Sequence, residues 1–288
     1  MNSSEMLYIY DAKLSNPNGD PDEENRPRMD EEINLVTDLR LKRYVRDYFL
    51  DLGNELYVQK VEGKSVTAEE RVTKLKLEKP EDILNRFIDV RLFGATMPIK
   101  KNNLQFTGPV QFNWGYSLNK VDVMENSITS TFTSKEGKSQ GAMGKDYRVK
   151  YSLIAFSGVL SGRRAERTLL REEDVMLMDK ALKYAIPQQA TRSKIGQYPR
   201  LYMRVEYKDS ETVLGDYRSY LKLERIEDLA DISEVVLKMD DLVAFLEQNK
   251  EKISKIYYFC NPQLVLELNQ EKVRFEEAMK SFTLCEIG

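Results

Sequence analysis

Apolar and polar positions follow two rhythms along this chain, and the change from one to the other marks out its elements. In residues 109–119, Val110, Phe112, Trp114, Tyr116 and Leu118 alternate with Gln111, Asn113, Gly115, Ser117 and Asn119, the period of two that a half-buried strand requires. The rhythm recurs from Tyr147 to Val159, where Val149, Tyr151, Leu153 and Ala155 oppose Arg148, Lys150 and Ser152, and again over Arg200–Tyr207. Leu7 to Leu14 reads as a first strand, closed by the turn-forming run NPNGDP at 16–21. Helical spacing takes over at about 37–52: Leu41, Val45, Tyr48 and Leu52 share one stripe, flanked by Tyr44 and Phe49, with Lys42, Arg43 and Arg46 opposite. Thr37 is the expected N-cap, and Asp38 sits in the first turn, where the helix dipole favours a carboxylate. Val175, Met178, Leu182 and Ala185 mark a second helix over 172–186.

In chain order these elements predict an α+β fold, a single domain over 1–288 with the β-α-β-β-α-β order of a ferredoxin-like, RNA-recognition (RRM) type sheet. Two insertions interrupt it. Residues 53–90 are charged and helical in character, with Ile83, Leu84, Phe87 and Ile88 as a short amphipathic piece. Residues 122–146, rich in Ser, Thr, Gly and Lys, are too long for a tight turn and predict a protruding β-arm. Past residue 208 the pattern predicts a helix near 239–252, a strand at Ile256–Phe259 and a charged helical tail.

Composition removes several kinds of chemistry. The chain has no histidine and two widely separated cysteines, Cys260 and Cys285, so Ser-His-Asp and Cys-His catalysis and a Cys/His zinc site are excluded. The acidic run Asp20–Glu24 fails the calcium-loop pattern, since Gly19 at the sixth position puts Leu14 first and Asn25 twelfth. Gly141–Gly144 lacks the third glycine of a dinucleotide fingerprint. No metal, cofactor or catalytic residue is therefore expected. No apolar run reaches the roughly 20 residues of a membrane span, and the N-terminus lacks a secretory pattern, so a cytoplasmic protein is expected.

The net charge of −3 hides a segregation. Residues 183–208 carry six bases against the single acid Glu206, whereas residues 209–249 carry eleven acids against four bases. Local potential attracts phosphate, so an acidic chain can still hold a basic track. Besides the α-helical bases, Arg163, Arg164, Arg192 and Lys194 stand in turn-like segments near strand ends. An RRM-like sheet bordered by such loops is a common way to bind single-stranded RNA.

Several segments in order, NPNGDPDEENRPR, LVTDLRLKRYVRDYF, DVRLFGA, GPVQFNWGYSL, MGKDYRVKY and TRSKIGQYPRLYMRVEYKD, resemble the Cas seven (Cas7) family, the backbone subunits of type I CRISPR Cascade complexes, in its I-B (Csh) branch. The resemblance is dense over 1–208 and looser beyond. It implies a non-catalytic subunit that polymerises along CRISPR RNA (crRNA), with an RRM-type palm, a helical fingers insertion at 53–99, a thumb hairpin at 122–146, and a part at 209–288 that completes the palm and meets neighbouring subunits. Implied partners are the crRNA, the target DNA strand paired to it, further copies of the chain, and the Cas five, Cas six, Cas eight and small subunits. Thr37, Lys42, Arg43 and Arg46 become expected backbone contacts, Arg91, Phe93 and Met97 an RNA-touching loop, and Met143 a thumb wedge. Asn16, Asn18, Arg40, Lys100, Lys101 and Gln111 complete the RNA-contacting set with Arg163, Arg164, Arg192 and Lys194. The rival readings are a type III-like backbone that cuts target RNA with a metal, through Asp122 or Asp146, and a generic single-stranded RNA-binding protein.

Overall fold

The computed structural model describes residues 1–61, 63–77, 79–97, 104–129 and 143–288. Strands β1 (Ser4–Ser15) and β2 (Ile33–Val36) precede helix α1 (Asp38–Asp51). An insertion follows, with helices α2 (Ala68–Lys74), α3 (Pro80–Arg86) and α4 (Ile88–Phe93) and strands β3 (Gly94–Met97) and β4 (Leu104–Thr107). Next come β5 (Val110–Phe112), β6 (Gly115–Ser117), β7 (Val123–Thr129), β8 (Met143–Leu160), α5 (Gly162–Arg167), α6 (Glu172–Gln188) and β9 (Gln197–Tyr207). The remainder contains α7 (Asp240–Gln248), β10 (Ile253–Cys260) and β11 (Leu284–Glu286), together with a small sheet built around Val236–Lys238 and Val265–Leu268.

The large sheet runs β11-β10-β9-β1-β8-β6-β2, with Met29–Asp30 at the far edge and β5 and β7 also paired to β8. It is mixed: β1 is antiparallel to both β8 and β9, and β11 is parallel to β10. Strand β1 sits centrally and is buried on both faces, so its residues 4–12 are buried almost without interruption. Tyr8 and Tyr10 pack with Phe156 and Tyr202 beneath α1 and α6. Leu7 and Ile9 join Leu153, Met203 and Val205 under the C-terminal layer that includes Leu242, Leu246 and Leu266. Helix α1 lays Leu41, Tyr44, Val45, Tyr48 and Phe49 on the first core, each contributing about 1.5–3 kcal/mol by burial. The insertion holds a separate cluster of Val72, Ile83, Leu84, Phe87, Val90 and Met97.

Three expectations change. The strand at 109–119 is two strands, because Asn113 and Trp114 break the pairing: β5 pairs with residues 158–160 and β6 with Ile154–Ala155 of β8. The break flips the alternation, so Gly115 and Ser117 are buried while Trp114 is 43% exposed. A Cβ at Gly115 would collide with the Phe156 ring, which fixes glycine there. Arg163 and Arg164 lie in α5, started by the Ser161 cap, instead of in a turn. The expected helical tail is mostly strand, Val265–Leu268, Glu271–Val273 and β11, with only the short helix Phe275–Ala278. The helical N-terminal core was legible because its stripe faces one surface; short strands buried by tertiary contacts give no such period. Among the described residues no helix is long and apolar enough to cross a membrane.

Candidate nucleic-acid interface

The start of α1 is tied to the preceding turn. Asn18 Oδ1 accepts from both the Thr37 amide and the Thr37 hydroxyl, each at 2.9 Å. Thr37 Oγ1 in turn accepts from the Arg40 amide at 3.2 Å and caps the helix, as the sequence anticipates. Thr37 and Asn18 thus act on each other.

The bases along α1 are matched within the chain. Lys42 is only 6% exposed, and its ammonium donates to Asp38 at 2.9 Å and to Gln111 Oε1 at 3.2 Å. Arg43 pairs with Asp47 at 2.6 Å. Arg46 pairs with the fully buried Asp89 at 3.1 Å and stacks 5.2 Å from the Phe93 ring centre, while Asp89 also accepts from the amides of Tyr57 and Val58. The expected open stripe of Lys42, Arg43 and Arg46 is instead a set of ion pairs, because Asp38, Asp47 and Asp89 stand one turn away or across the insertion. Gln111 is likewise held, donating to the Gly108 carbonyl at 3.1 Å.

The segment carrying Arg91, Phe93 and Met97 is internal. Arg91 binds Asp174 through two hydrogen bonds of 2.7 Å and donates to the carbonyls of Leu84 and Asn85, which bolts the insertion to α6. Phe93 and Met97 are buried in the cores. Arg163 and Arg164 are exposed at the end of the 18-residue β8, with Arg163 paired to Glu211. Lys100 and Lys101 lie outside the described residues, as does the side chain of Met143, whose backbone begins β8.

At the opposite end of β8 the fold brings together Asn16, Asn18, Arg40, Arg192 and Lys194. They line an open cleft of about 560 Å³ with Glu24, Lys145, Asp146 and Tyr147. The strand register explains the meeting: Ser15 of β1 pairs with Val149, and the loop at 191–196 is hydrogen-bonded to β1 through Asn16 N to Ser193 O and Lys13 N to Gly196 O, both 2.8 Å. Gly196 has φ +90° and its Cα faces the Lys13 carbonyl so closely that a side chain would clash. The Asn16 amide clamps the neighbouring strands, donating to Asn25 O at 2.7 Å and Tyr147 O at 3.2 Å.

Charges around this cleft fall into two groups. The acids are spoken for: Asp146 binds Arg148 at 2.8 Å and Arg192 at 3.1 Å, and Glu24 takes Lys145 at 3.6 Å and the Tyr147 hydroxyl at 3.2 Å. Burial opposes the Asp146 charge, but Arg148 and Arg192 outweigh it and hold the carboxyl below its ordinary range. Arg40 and Lys194 have no carboxylate partner among the described residues. The Arg40 guanidinium lies 4.0 Å over the Tyr44 ring, and its Nε is buried without an acceptor. Lys194 donates to the Asn16 carbonyl, and burial first, then the Arg40 charge, lowers its pKa to about 7. Lys145 and Tyr147 are cleft residues that sequence reasoning missed; the segment MGKDYRVKY carries them, but only the tertiary contacts of Tyr147 with Asn16 and of both residues with Glu24 bring them to this site. Asp122, one rival candidate, is exposed beside Lys150 at 3.8 Å, and no group of three or more His, Cys, Asp or Glu able to hold a metal occurs among the described residues.

The acidic run at 209–249 is also largely engaged internally. Glu227 holds Lys120 with Glu32, Asp231 holds Lys13, and Asp241 holds Lys222.

Comparison with known proteins places these features in a family. The family model for CRISPR-associated protein Cas7 matches residues 2–240. A CRISPR-associated protein Cas7 from Haloferax volcanii is 34% identical over 313 residues, covering 96% of this chain and 92% of the relative. Among solved structures, a chain of a CRISPR RNA-guided surveillance complex in a pre-nicking state aligns with TM-score 0.58 and 15% identity, covering 97% of this chain and 98% of that one. A chain of another CRISPR RNA-guided surveillance complex aligns with TM-score 0.54 and 14% identity over 97% of each.

Proposed function

The chain belongs to the Cas7 family of CRISPR-associated proteins, and we propose that it is a backbone subunit of a type I, I-B-like Cascade complex, binding crRNA in the cytoplasm as a repeated, non-catalytic unit. The observation that carries the reading is the cleft in which Arg40 and Lys194 stand without carboxylates. Neutralised cations add little to an external field, whereas cations lacking internal counterions draw phosphate. The sheet is read as an RRM-type palm, supported by the order β9-β1-β8-β6 with α1 and α6 packed on one face. The helical insertion is read as the fingers and the β7–β8 arm as the thumb.

Such a subunit needs to grip phosphates and leave sequence choice to base pairing between crRNA and the target DNA strand. Its other partners would be copies of itself and the Cas five, Cas six, Cas eight and small subunits. The test is co-expression with a CRISPR array and those subunits, followed by purification. Retained RNA of uniform length in a particle with several copies of this chain is expected; an RNA-free monomer would refute the reading. Incubating the particle with complementary RNA and magnesium is expected to leave that RNA intact. Regularly spaced cuts lost in Asp122→Ala would establish the nuclease alternative.

A further inference from the structure

We propose that Arg40 and Lys194 form a two-cation seat for one phosphate group of the bound strand, and that filling this seat transfers one proton from solvent to Lys194. The proposal deepens the RNA-binding reading above and rests on it. No other bond is made or broken: the fraction of Lys194 that burial and Arg40 leave as neutral amine, growing as pH rises through about 7, gains a proton and becomes the ammonium that faces the phosphate.

The seat is built from two rigid supports. Arg40 lies in the first turn of α1, its backbone capped by Thr37 and its guanidinium stacked on Tyr44. Lys194 lies in a loop fastened to β1 by backbone hydrogen bonds on either side of it, at Ser193 and Gly196, and its amine is pinned to the Asn16 carbonyl. Both side chains line the same cleft. Burial strips water from the ammonium and the like charge of Arg40 adds to the cost, so the lysine gives up its proton more readily than in water. The groups that could relieve it are occupied. From β8, Asp146 is held by Arg148 and Arg192, and Lys145 adds a further positive charge. From the turn after β1, Glu24 is taken by Lys145 and Tyr147, and Asn16 and Asn18 are neutral. From α1 come Arg40 itself and the uncharged Tyr44, and the loop contributes Arg192. A phosphodiester supplies the missing negative charge, and by linkage the group that stabilises the ammonium must bind more tightly where the ammonium is present.

The chain is unusually well suited to a test, because it contains no histidine. Its first residue, Met1, lies at the other end of β1 with its carbonyl against Gly162, and a phosphodiester does not titrate near neutrality. Binding of a short fluorescent single-stranded RNA is measured from pH 6 to 9 at constant ionic strength. For the wild type, affinity is expected to fall by up to about tenfold per pH unit above about 7, the slope of one linked proton. Lys194→Arg should bind tightly with no slope. Lys194→Gln should bind at pH 6 only as well as the wild type does at pH 9, also with no slope, and its thermal melt confirms folding. A flat wild-type profile, or a slope retained in Lys194→Arg, overturns the proposal. A wild-type chain that binds no RNA at any pH overturns the functional reading instead. The seat is then judged by NMR of ¹³C-labelled lysine with inorganic tripolyphosphate as probe: a Lys194 midpoint raised by about one unit or more upholds it, and an unmoved midpoint refutes it.

Discussion

The basic face of α1 and the cleft at the end of β1 are both rich in bases, yet they are built on opposite electrostatic terms. On α1, Lys42, Arg43 and Arg46 each meet an aspartate within 3.1 Å, and Arg91 nearby is clasped by Asp174. In the cleft, Arg40 and Lys194 meet no carboxylate among the described residues, and the local acids serve other bases. The first region neutralises its charge internally: Lys42 and Arg43 pair within α1, Arg46 ties α1 to the insertion through Asp89, and Arg91 ties the insertion to α6. The second keeps charge unspent, at a cost in intrinsic stability, which is the condition of a surface that awaits an anion. Counting bases along the sequence cannot separate the two, since pairing is decided in three dimensions.

The contrast can be broken by exchanging the roles. Asp174→Ala strands the buried Arg91 guanidinium and should cost about 3–5 kcal/mol in chemical denaturation, because one partner of a buried pair is left uncompensated. Little direct effect on RNA affinity per folded molecule is expected. The double variant Arg40→Gln, Lys194→Gln should do the reverse, weakening RNA binding by well over about 100-fold at pH 6, since two charge-assisted contacts worth about 1.5–3 kcal/mol each are lost. The slope of log affinity against log salt should fall by about 0.7, the one phosphate of a single strand held in the seat. Equal losses of stability in the two variants would erase the distinction between the regions.

A subtler test uses pH. Lys194 has a lower pKa folded than unfolded, so the unfolded chain holds the extra proton between about 7 and the ordinary lysine value. Its penalty is fully present below pH 7 and fades as pH rises through that window. The RNA-free Lys194→Gln protein should therefore melt higher than the wild type at pH 6 and lose that advantage towards pH 10. An unchanged difference across the range would remove Lys194 as a strained charge. The smallest effect belongs to the exposed Arg43–Asp47 pair: Asp47→Asn should shift stability by no more than about 0.5 kcal/mol and RNA affinity less than about twofold.

Much of the framework was legible in the chain. Strand β1, helix α1 with its Thr37 cap, and helix α6 all announce themselves by period, because each presents one continuous apolar face or alternates over many residues. Asn113-Trp114 misled the reading, since a two-residue interruption preserves the apparent alternation while reversing which side is buried. The small sheet after residue 208 left no trace, its strands being only two to four residues long. For the site, Asn16, Asn18, Arg40, Arg192 and Lys194 were named from sequence and share a cleft, whereas Arg91, Phe93 and Met97 were named and are interior. Arg192 and Lys194 stand out as bases in turn-like segments, whereas Arg91, Phe93 and Met97 entered only through the family resemblance.

By itself the sequence determined the order of the principal strands and helices, the lack of any histidine, and the family. Those properties depend on residue identity, on spacing within one element, or on the succession of motifs. Only the tertiary structure decided which bases are free. Arg40 and Lys194 are 154 positions apart, and their approach follows from β1 pairing with β8 on one side and receiving the 191–196 loop on the other. An ion pair forms or fails over a few ångströms, a distance that neighbours in sequence do not control.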